Sequence, residues 1–403
     1  MKTFYNSLLS LRAAYCYYSS IMMGDSGQIN ESERKYMQRA LALASKAIGM
    51  TSPNPMVGAV LVKNGRIISE GFHKKPGTPH AEVVAITRAG KNARNSSLYV
   101  TLEPCCHVDK RTPPCTMAII DAGIKKIFIA MQDPNPKVSG KGIDELRRHG
   151  VEVVTGVLEE KAKRLNEAYV KYITTGKPFV TLKVAMTLDG KIATPEGDSK
   201  WITGEKARTV VHRMRSYVDA VMTAIGTVNA DNPRLNVRLY KKKNIKNPIR
   251  IVIDPDLDAP VDSNIFNVPP ETILVTTKTN TDKAESPLSK KKKILIEKGV
   301  QILEYEGRRA NLDWLMRMLG DKGICSLMIE GGSSFAASAL NDGIVDKVVF
   351  FIAPKIIGGK NSIPAIGGDV FRSLDNAFKI HNVKVSRVGQ DIMFVGYVGG
   401  VKQ

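Results

Sequence analysis

Cysteine is scarce and badly placed for cross-linking. The chain of 403 residues has five, Cys16, Cys105, Cys106, Cys115 and Cys325, an odd number with three crowded together. That excludes a disulfide framework and fits a reducing, cytoplasmic setting in which thiols serve a metal or a reaction. Long apolar runs are missing too. Nothing approaches the roughly 18 to 20 residues of a spanning helix, and the charge-free stretch Ala13–Gly24 is broken by tyrosines and serines. No membrane partner is expected. Acids are absent from the opening segment, which carries Lys2, Arg12 and several serines. Residues 1–30 therefore read as a dispensable extension, either a weak targeting peptide or the result of a start upstream of Met22 or Met23. An internal repeat is also lacking, so the two halves are expected to be different folds.

What is present is an ordinary globular composition with an unusual sign. Hydrophobic residues at 43% and charged ones at 24% exclude disorder along the whole length, and the length implies two or three domains. Lys and Arg exceed Asp and Glu by 59 to 39, a net charge of +20. This excess is spread along the chain, which suits phosphorylated small substrates better than a nucleic-acid surface. The runs Lys241–Lys243 and Lys290–Lys293 lie beside Asn, Ser and Pro and are read as solvated loop tips.

Apolar spacing predicts a helix from Glu31 to Ile48, then strands at Val57–Val62 and Arg66–Gly71 joined by Asn64-Gly65. Helices at His80–Ala89 and Pro114–Ala122 alternate with strands at Ser97–Leu102 and Lys126–Met131, and a further helix and strand follow within Lys141–Val154. Such alternation indicates a three-layer α/β domain. One long polar helix, Glu159–Thr174, leads to Thr175-Gly176-Lys177-Pro178, where the domain boundary is placed: 31–175 and 176–403. Beyond it the alternation restarts, with a helix at Glu205–Met214 and strands at Phe179–Ala185, Ala220–Ala224, Ile249–Ile253, Thr272–Val275, Gln301–Leu303, Ser326–Ile329 and Lys347–Phe351.

Chemistry concentrates in the first half. His80, Cys105 and Cys115 are three ligands of the type a catalytic Zn2+ takes, leaving one tetrahedral position for water. Glu82, two residues from His80, is placed to take a proton from water and deliver it to a departing amine. Cys106 is read as inert or as a rival ligand. His-x-Glu followed by Pro-Cys and a second Cys resembles the zinc cytidine-deaminase-like family, whose carboxylate is not a metal ligand. Base-acting members usually separate their cysteines by two residues, whereas here the whole stretch Cys106–Pro114 intervenes.

The strings Pro53-Asn54-Pro55, Gly71-x-His73, Gly77-x-x-His80-Ala81-Glu82, Glu103-Pro104-Cys105-x-His107 and Thr112-Pro113-Pro114-Cys115 resemble the bifunctional riboflavin-biosynthesis deaminase/reductases. The likeness runs from about Ser32 to the end of the chain. It departs in one loop, where Asp109-Lys110 stands in place of the family's glycine with one extra residue. The resemblance implies hydrolytic loss of the 2-amino group of 2,5-diamino-6-ribosylamino-pyrimidinone 5′-phosphate, then NADPH-dependent reduction of ribosyl to ribityl in a dihydrofolate-reductase-like domain. By motif match Asn54, His73, Asp133 and Asn135 fall on the pyrimidine or ribose, and Arg111 or Lys110 on the phosphate. For Asn54, Asp133 and Asn135 the competing reading is a plain turn role.

In the second half no G-x-G-x-x-G follows a first strand, and the strand ending at Ile329-Glu330-Gly331-Gly332 with small residues behind it is the one local hint of a phosphate site. The resemblance places Ala185, Trp201, Thr227, Asp231 and the segment Gly332, Ser333, Ser334, Phe335, Ala336, Ala337, Ser338 on NADPH. It places Ser199, Arg215, Leu235, Arg238 and Glu330 on substrate, with the arginines neutralising the 5′-phosphate. Lys183 and Asp189 are further candidates near the ribose, and Trp201 could equally be core. A homo-oligomer, dimer or tetramer, is expected by the same resemblance. Two other functions compete: a nucleoside or nucleic-acid deaminase with a binding module, and a non-catalytic zinc scaffold, for which Cys106 or His107 would be the fourth ligand. A member with one degenerate domain would keep most of these motifs.

Overall fold

A computed structural model describes residues 30–106, 113–240, 246–267, 269–278, 286–368 and 372–399. The expected extension up to residue 29, Arg111 with its loop, and Lys241–Lys243 lie outside the described residues. Contacts divide the chain into two units, one comprising residues up to 48 with 56–166, the other 49–55 with 167–403.

The first unit opens with helix α1, Glu31–Ala44, started by a capping box in which the side chains of Asn30 and Glu33 each accept from the other's backbone N–H. Strands β1, Gly58–Lys63, and β2, Arg66–Phe72, form the predicted hairpin. Its turn residues Asn64 and Gly65 have φ of 50° and 72°, the left-handed pair such a two-residue turn requires. Helix α2, Ala81–Ala89, strand β3, Ser97–Val100, helix α3, Cys115–Asp121, strand β4, Lys126–Ile129, helix α4, Lys141–Arg148, strand β5, Glu152–Thr155, and helix α5, Glu159–Leu165, follow. The sheet order is β2-β1-β3-β4-β5, antiparallel across β1 and parallel from β3 to β5. Ala59, Val60, Leu61, Leu98, Val100, Ile127 and Ile129 are buried along its centre. Helix α2 lies tight on β2: a Cβ on Gly71 would meet the Ala81 carbonyl at 2.2 Å, so only glycine admits this approach.

The single polar helix predicted over Glu159–Thr174 is two. It breaks at Asn166, whose Oδ1 accepts from Met56 N (2.8 Å) while its Nδ2 donates to Met56 O (3.0 Å). A distant backbone segment is thereby satisfied at the cost of helix continuity, an effect no local pattern carries. Helix α6, Glu167–Thr175, resumes in the second unit.

There, β6 (Phe179–Thr187), β7 (Lys191–Ala193), α7 (Glu205–Arg215), β8 (Ala220–Ala224), α8 (Ile225–Asp231), β9 (Ile249–Ile253), β10 (Thr272–Thr277), α9 (Pro287–Glu297), β11 (Gln301–Tyr305), α10 (Leu312–Asp321), β12 (Ser326–Glu330), α11 (Ser333–Asn341), β13 (Lys347–Ala353), β14 (Ile363–Pro364), β15 (Ile380–Val388) and β16 (Asp391–Val398) build a nine-stranded sheet and a short two-stranded ribbon of β7 and β14. The main order is β11-β10-β9-β8-β12-β6-β13-β16-β15, parallel except for the last two strands. Alternate residues feed opposite cores: Ala220, Met222, Ile251 and Ile329 pack on one face, Val221, Val252, Leu274 and Met328 on the other. Burial on both faces is what a parallel sheet between helix layers requires.

The hairpin of β15 and β16 was not predicted. Lys290–Lys293 is not a loop tip either. It lies in α9, where Ser286 caps the N-terminus through Ser289 N and Pro287 occupies the first turn. Lys292 pairs with Glu304 at 2.6 Å and Lys291 reaches the Leu257 carbonyl. Ser-Pro, read as a loop signal, is here a helix start.

Candidate active sites

In the first unit the site forms where chain leaves β3 and where two helices begin. His80 is the residue capping α2, and Cys115 is the first residue of α3. Cys105 sits in the turn after β3, its carbonyl accepting from Thr116 N at 3.3 Å, which ties the two cysteine segments together. The three candidate ligand atoms lie within 4.8 Å of one another. His80 Nδ1 is 3.2 Å from Cys115 Sγ and 3.7 Å from Cys105 Sγ. Ligands at zinc bond lengths from one tetrahedral centre stand roughly 3.5 Å apart, so the donor set and its spacing fit that metal. Among the described residues Cys106 is not in this group, and burial pushes its thiol up, away from the thiolate a ligand needs.

Glu82 lies in the first turn of α2, 3% exposed, with Oε2 buried and without a hydrogen-bond partner. Burial pushes its carboxyl above the usual range, and His80 partly opposes this. An orphaned carboxylate oxygen beside three soft or borderline ligands costs stability that packing alone would not maintain. His73 packs edge-on against His80, ring centroids 5.3 Å apart, and its Nδ1 is 3.3 Å from Pro79 O. Asp133 and Asn135 each accept a backbone N–H two residues on, from Asn135 and Lys137. Asn54 lies on the segment 49–55, within the second unit.

Glu103 had no role assigned from sequence. It is buried, and its two oxygens accept from Asp133 N, Gly140 N, Gly142 N and Ile143 N at 3.0–3.3 Å. One carboxylate thus joins the Cys105 turn to the Asp133 loop and the start of α4. The acid preceding Pro104-Cys105 was the available signal.

In the second unit the parallel strands β6 and β12 and helix α7 bring together Lys183, Glu330 and Arg215. Glu330, at the end of β12, makes a two-pronged pair with Arg215 of α7, Nε–Oε1 2.6 Å and Nη2–Oε2 3.0 Å, and Lys183 of β6 stands 3.6 Å from Oε2. Burial would push the Glu330 carboxyl up, but Arg215 and Lys183 draw it down to about 2. Lys183 is pushed down, chiefly by burial. Arg238 is exposed, and burial of its stem together with Arg215 and Arg234 lowers it. Arg234 and His212 are members of this cluster that sequence reasoning missed. His212 lies three residues before Arg215 on α7, where helical spacing puts both on one face.

A second grouping forms around Thr227. Its Oγ1 accepts from Gly332 N at 3.0 Å, and a Cβ on Gly331, whose φ is 131°, would meet Thr227 Oγ1 and Thr223 Oγ1 at 2.5 Å. The turn into α11 therefore lies directly on α8. Ala336, Ala337 and Ser333 are buried on α11, Ser333 Oγ donating to Pro364 O at 2.6 Å, and the first-turn N–H groups of a helix are those able to meet an anion. Ser199 Oγ and Lys200 Nζ approach Asp231 at 3.4 and 3.5 Å. Trp201 is not core: it is 59% exposed and stacks on Arg208, 4.6 Å from ring centroid to guanidinium. Ala185 lies two residues beyond Lys183 on the same face of β6. Leu235 is buried with a φ of 45°. Asp189 accepts from Thr187 Oγ1, Ile357 N and Gly358 N, which hold its carboxyl down at about 2.

Among the described residues no helix is long and apolar enough to cross a membrane. The profile of the cytidine and deoxycytidylate deaminase zinc-binding region matches residues 30–131, and that of the RibD C-terminal domain matches residues 178–394. A riboflavin biosynthesis protein RibD from Aquifex aeolicus is 46% identical over 91% of this chain and 98% of its own length. The Escherichia coli protein of that name is 38% identical over 89% of this chain and 97% of its own. A Thermotoga maritima structure, described as a diaminohydroxyphosphoribosylaminopyrimidine deaminase and 5-amino-6-(5-phosphoribosylamino)uracil reductase, is 39% identical with a TM-score of 0.79, covering 91% of this chain and 99% of that one.

Proposed function

The chain belongs to the RibD family of bifunctional riboflavin-biosynthesis deaminase/reductases, and from that premise we propose how its residues divide the work. It is a zinc-dependent deaminase and an NADPH-dependent reductase. The substrate we propose is 2,5-diamino-6-ribosylamino-4(3H)-pyrimidinone 5′-phosphate, which loses its 2-amino group and then has its ribosyl group reduced, giving 5-amino-6-ribitylamino-uracil 5′-phosphate.

The observation that carries the first step is the buried, orphaned Glu82 oxygen beside the convergent His80, Cys105 and Cys115. These three would hold zinc, which when bound supplies the Lewis acidity that makes water nucleophilic near neutral pH. Glu82 takes the water proton and returns it to the amine as that group departs, so no net proton is left in the site. His73 walls the ring of His80, and Asp133 and Asn135 are proposed for the ribose and pyrimidine.

For the second step, a bound NADPH would supply the hydride that reduces the ribosyl group in its open-chain imine form at the first carbon, the imine nitrogen taking up a proton. Gly332–Ser338, with Thr227, Asp231, Ala185 and Trp201, is proposed to seat the cofactor. Ser199, Leu235 and Lys183 are proposed for the ribose side. Arg215 is already neutralised by Glu330, so Arg238, exposed and crowded by Arg215 and Arg234, is the cation a phosphate would relieve. The functional boundary is proposed at Gly176, between 31–175 and 176–403, just ahead of the match that starts at residue 178. A cytoplasmic location, a homo-oligomeric state and the absence of nucleic-acid partners complete the proposal. The location is supported by Cys105 and Cys115 converging on His80 as metal donors rather than serving as a cross-link.

The test is zinc content and product analysis on the full-length protein given the diaminopyrimidinone phosphate with and without NADPH. Stoichiometric zinc, ammonia without NADPH, and NADPH oxidation only after deamination are expected. Ammonia-free zinc protein that still oxidises NADPH with the deaminated intermediate would make the chain a reductase with a degenerate first half.

A further inference from the structure

Three side chains from outside the segment Leu235–Arg238 hold its backbone at three successive residues. Arg215 Nη1 donates to Asn236 O at 3.0 Å, Asn247 Oδ1 accepts from Val237 N at 2.8 Å, and His212 Nδ1 accepts from Arg238 N at 3.1 Å. The segment needs such holding, because Leu235 has a φ of 45°, a left-handed conformation costly for a residue with a Cβ. Arg238 is aimed from the same turn: its Nη1 donates to Asn236 Oδ1 at 3.1 Å. His212 is 3% exposed. An imidazole that accepts through Nδ1 is the neutral tautomer with its proton on Nε2. Burial, then Arg215 and Arg238, push His212 down to about 4, which keeps it an acceptor throughout the neutral range.

We infer that His212 is a positioning residue for the reduction: it fixes the Arg238 N–H and, with Asn247 and Arg215, presets the turn that presents the Arg238 guanidinium to the 5′-phosphate of the substrate. This rests on the assignment of that phosphate to Arg238. A turn ordered before binding loses less freedom when substrate arrives. Loosening it weakens the hold on a phosphorylated substrate and spares hydride transfer, so the signature is a raised KM at constant kcat.

The experiment compares the full-length protein with H212L, H212N, N247L and R238A, using NADPH with the deaminated ribosyl phosphate and with its dephosphorylated nucleoside. H212L is expected to raise KM for the phosphate roughly tenfold, about one power of ten in affinity, with kcat and the nucleoside KM held. Asn at 212 places an oxygen near the former Nδ1, so H212N recovers most of the loss, and N247L moves KM in the same direction as H212L. Equal impairment by H212L and H212N, or a fall in kcat at constant KM, makes His212 a packing residue and overturns the inference. If H212L fails to bind NADPH, N247L decides: an unchanged preference for phosphate overturns the clamp. Preference surviving R238A overturns the phosphate assignment and the inference with it. Preference lost in R238A but intact in H212L and N247L overturns the inference alone.

Discussion

Arg215 and Glu330 close a two-pronged ion pair with side chains only 10% and 7% exposed, 115 residues apart in the chain. Lys183 adds a second cation 3.6 Å from the same carboxylate. Removing one partner of such a pair leaves charge buried without compensation, which typically costs about 3–5 kcal/mol. Glu330→Gln strands both cations. We expect the reductase unit to melt at lower temperature and NADPH oxidation to be lost, read by calorimetry and by absorbance. A variant with unchanged melting would show that Arg215 and Lys183 find other anions.

The same pair makes stability depend on pH in a definite direction. The Glu330 carboxyl is drawn to about 2 in the folded state from an ordinary 4.5. A lowered acid binds its proton more tightly when unfolded, so its contribution is complete above about pH 4.5 and fades as pH falls toward 2. The full amount is on the order of 3 kcal/mol. Urea midpoints between pH 6 and pH 3 should fall more for the wild type than for Glu330→Gln, and parallel curves would exclude this origin.

Glu82→Gln keeps shape and removes the proton carrier. Zinc should stay stoichiometric by metal analysis, because His80, Cys105 and Cys115 are untouched, while ammonia release drops by roughly 10²–10⁴. NADPH oxidation with the deaminated intermediate should be unchanged. Loss of zinc in this variant would instead make Glu82 part of the metal's support.

The sites differ in how far the sequence could reveal them. The grouping of His80, Cys105 and Cys115 was legible because each sits in a short string whose residue types suit a metal, and Glu82 stands two residues from the first of them. The hairpin at Asn64-Gly65 was legible because a two-residue turn demands those residues. Arg215 reads as a phosphate binder in sequence, and only folding of β12 beside β6 and β8 reveals its pairing with Glu330. The break at Asn166 and the clamp by His212 were hidden for the same reason. In each, a side chain bonds backbone far away in sequence, and no hydrophobic period reports that. Lys290–Lys293 misled in the other direction, since Ser286-Pro287 serves a loop or a helix start equally well.

Cys106 and Cys105 are neighbours with opposite fates. Cys105 joins the ligand group and Cys106 does not, so Cys106→Ala should retain stoichiometric zinc and ammonia release, whereas Cys105→Ala and Cys115→Ala should each lose both. Metal loss from Cys106→Ala would indicate a closed four-ligand site and a structural role.

Gly331 tests the cofactor seat from the backbone side. Its φ of 131° is one that side chains rarely adopt, and a Cβ there would stand 2.5 Å from both Thr223 Oγ1 and Thr227 Oγ1. Gly331→Ala must therefore push the turn off α8, breaking the bond from Gly332 N to Thr227 Oγ1 and shifting the first-turn N–H groups of α11 away from an anion. NADPH affinity should fall by roughly tenfold or more, corresponding to about 1.4 kcal/mol or greater, measured by quenching of protein fluorescence. Zinc content and ammonia release should stay at wild-type levels, because the altered turn belongs to the second unit. Unaltered NADPH binding in a folded Gly331→Ala protein would place the cofactor elsewhere than at the start of α11.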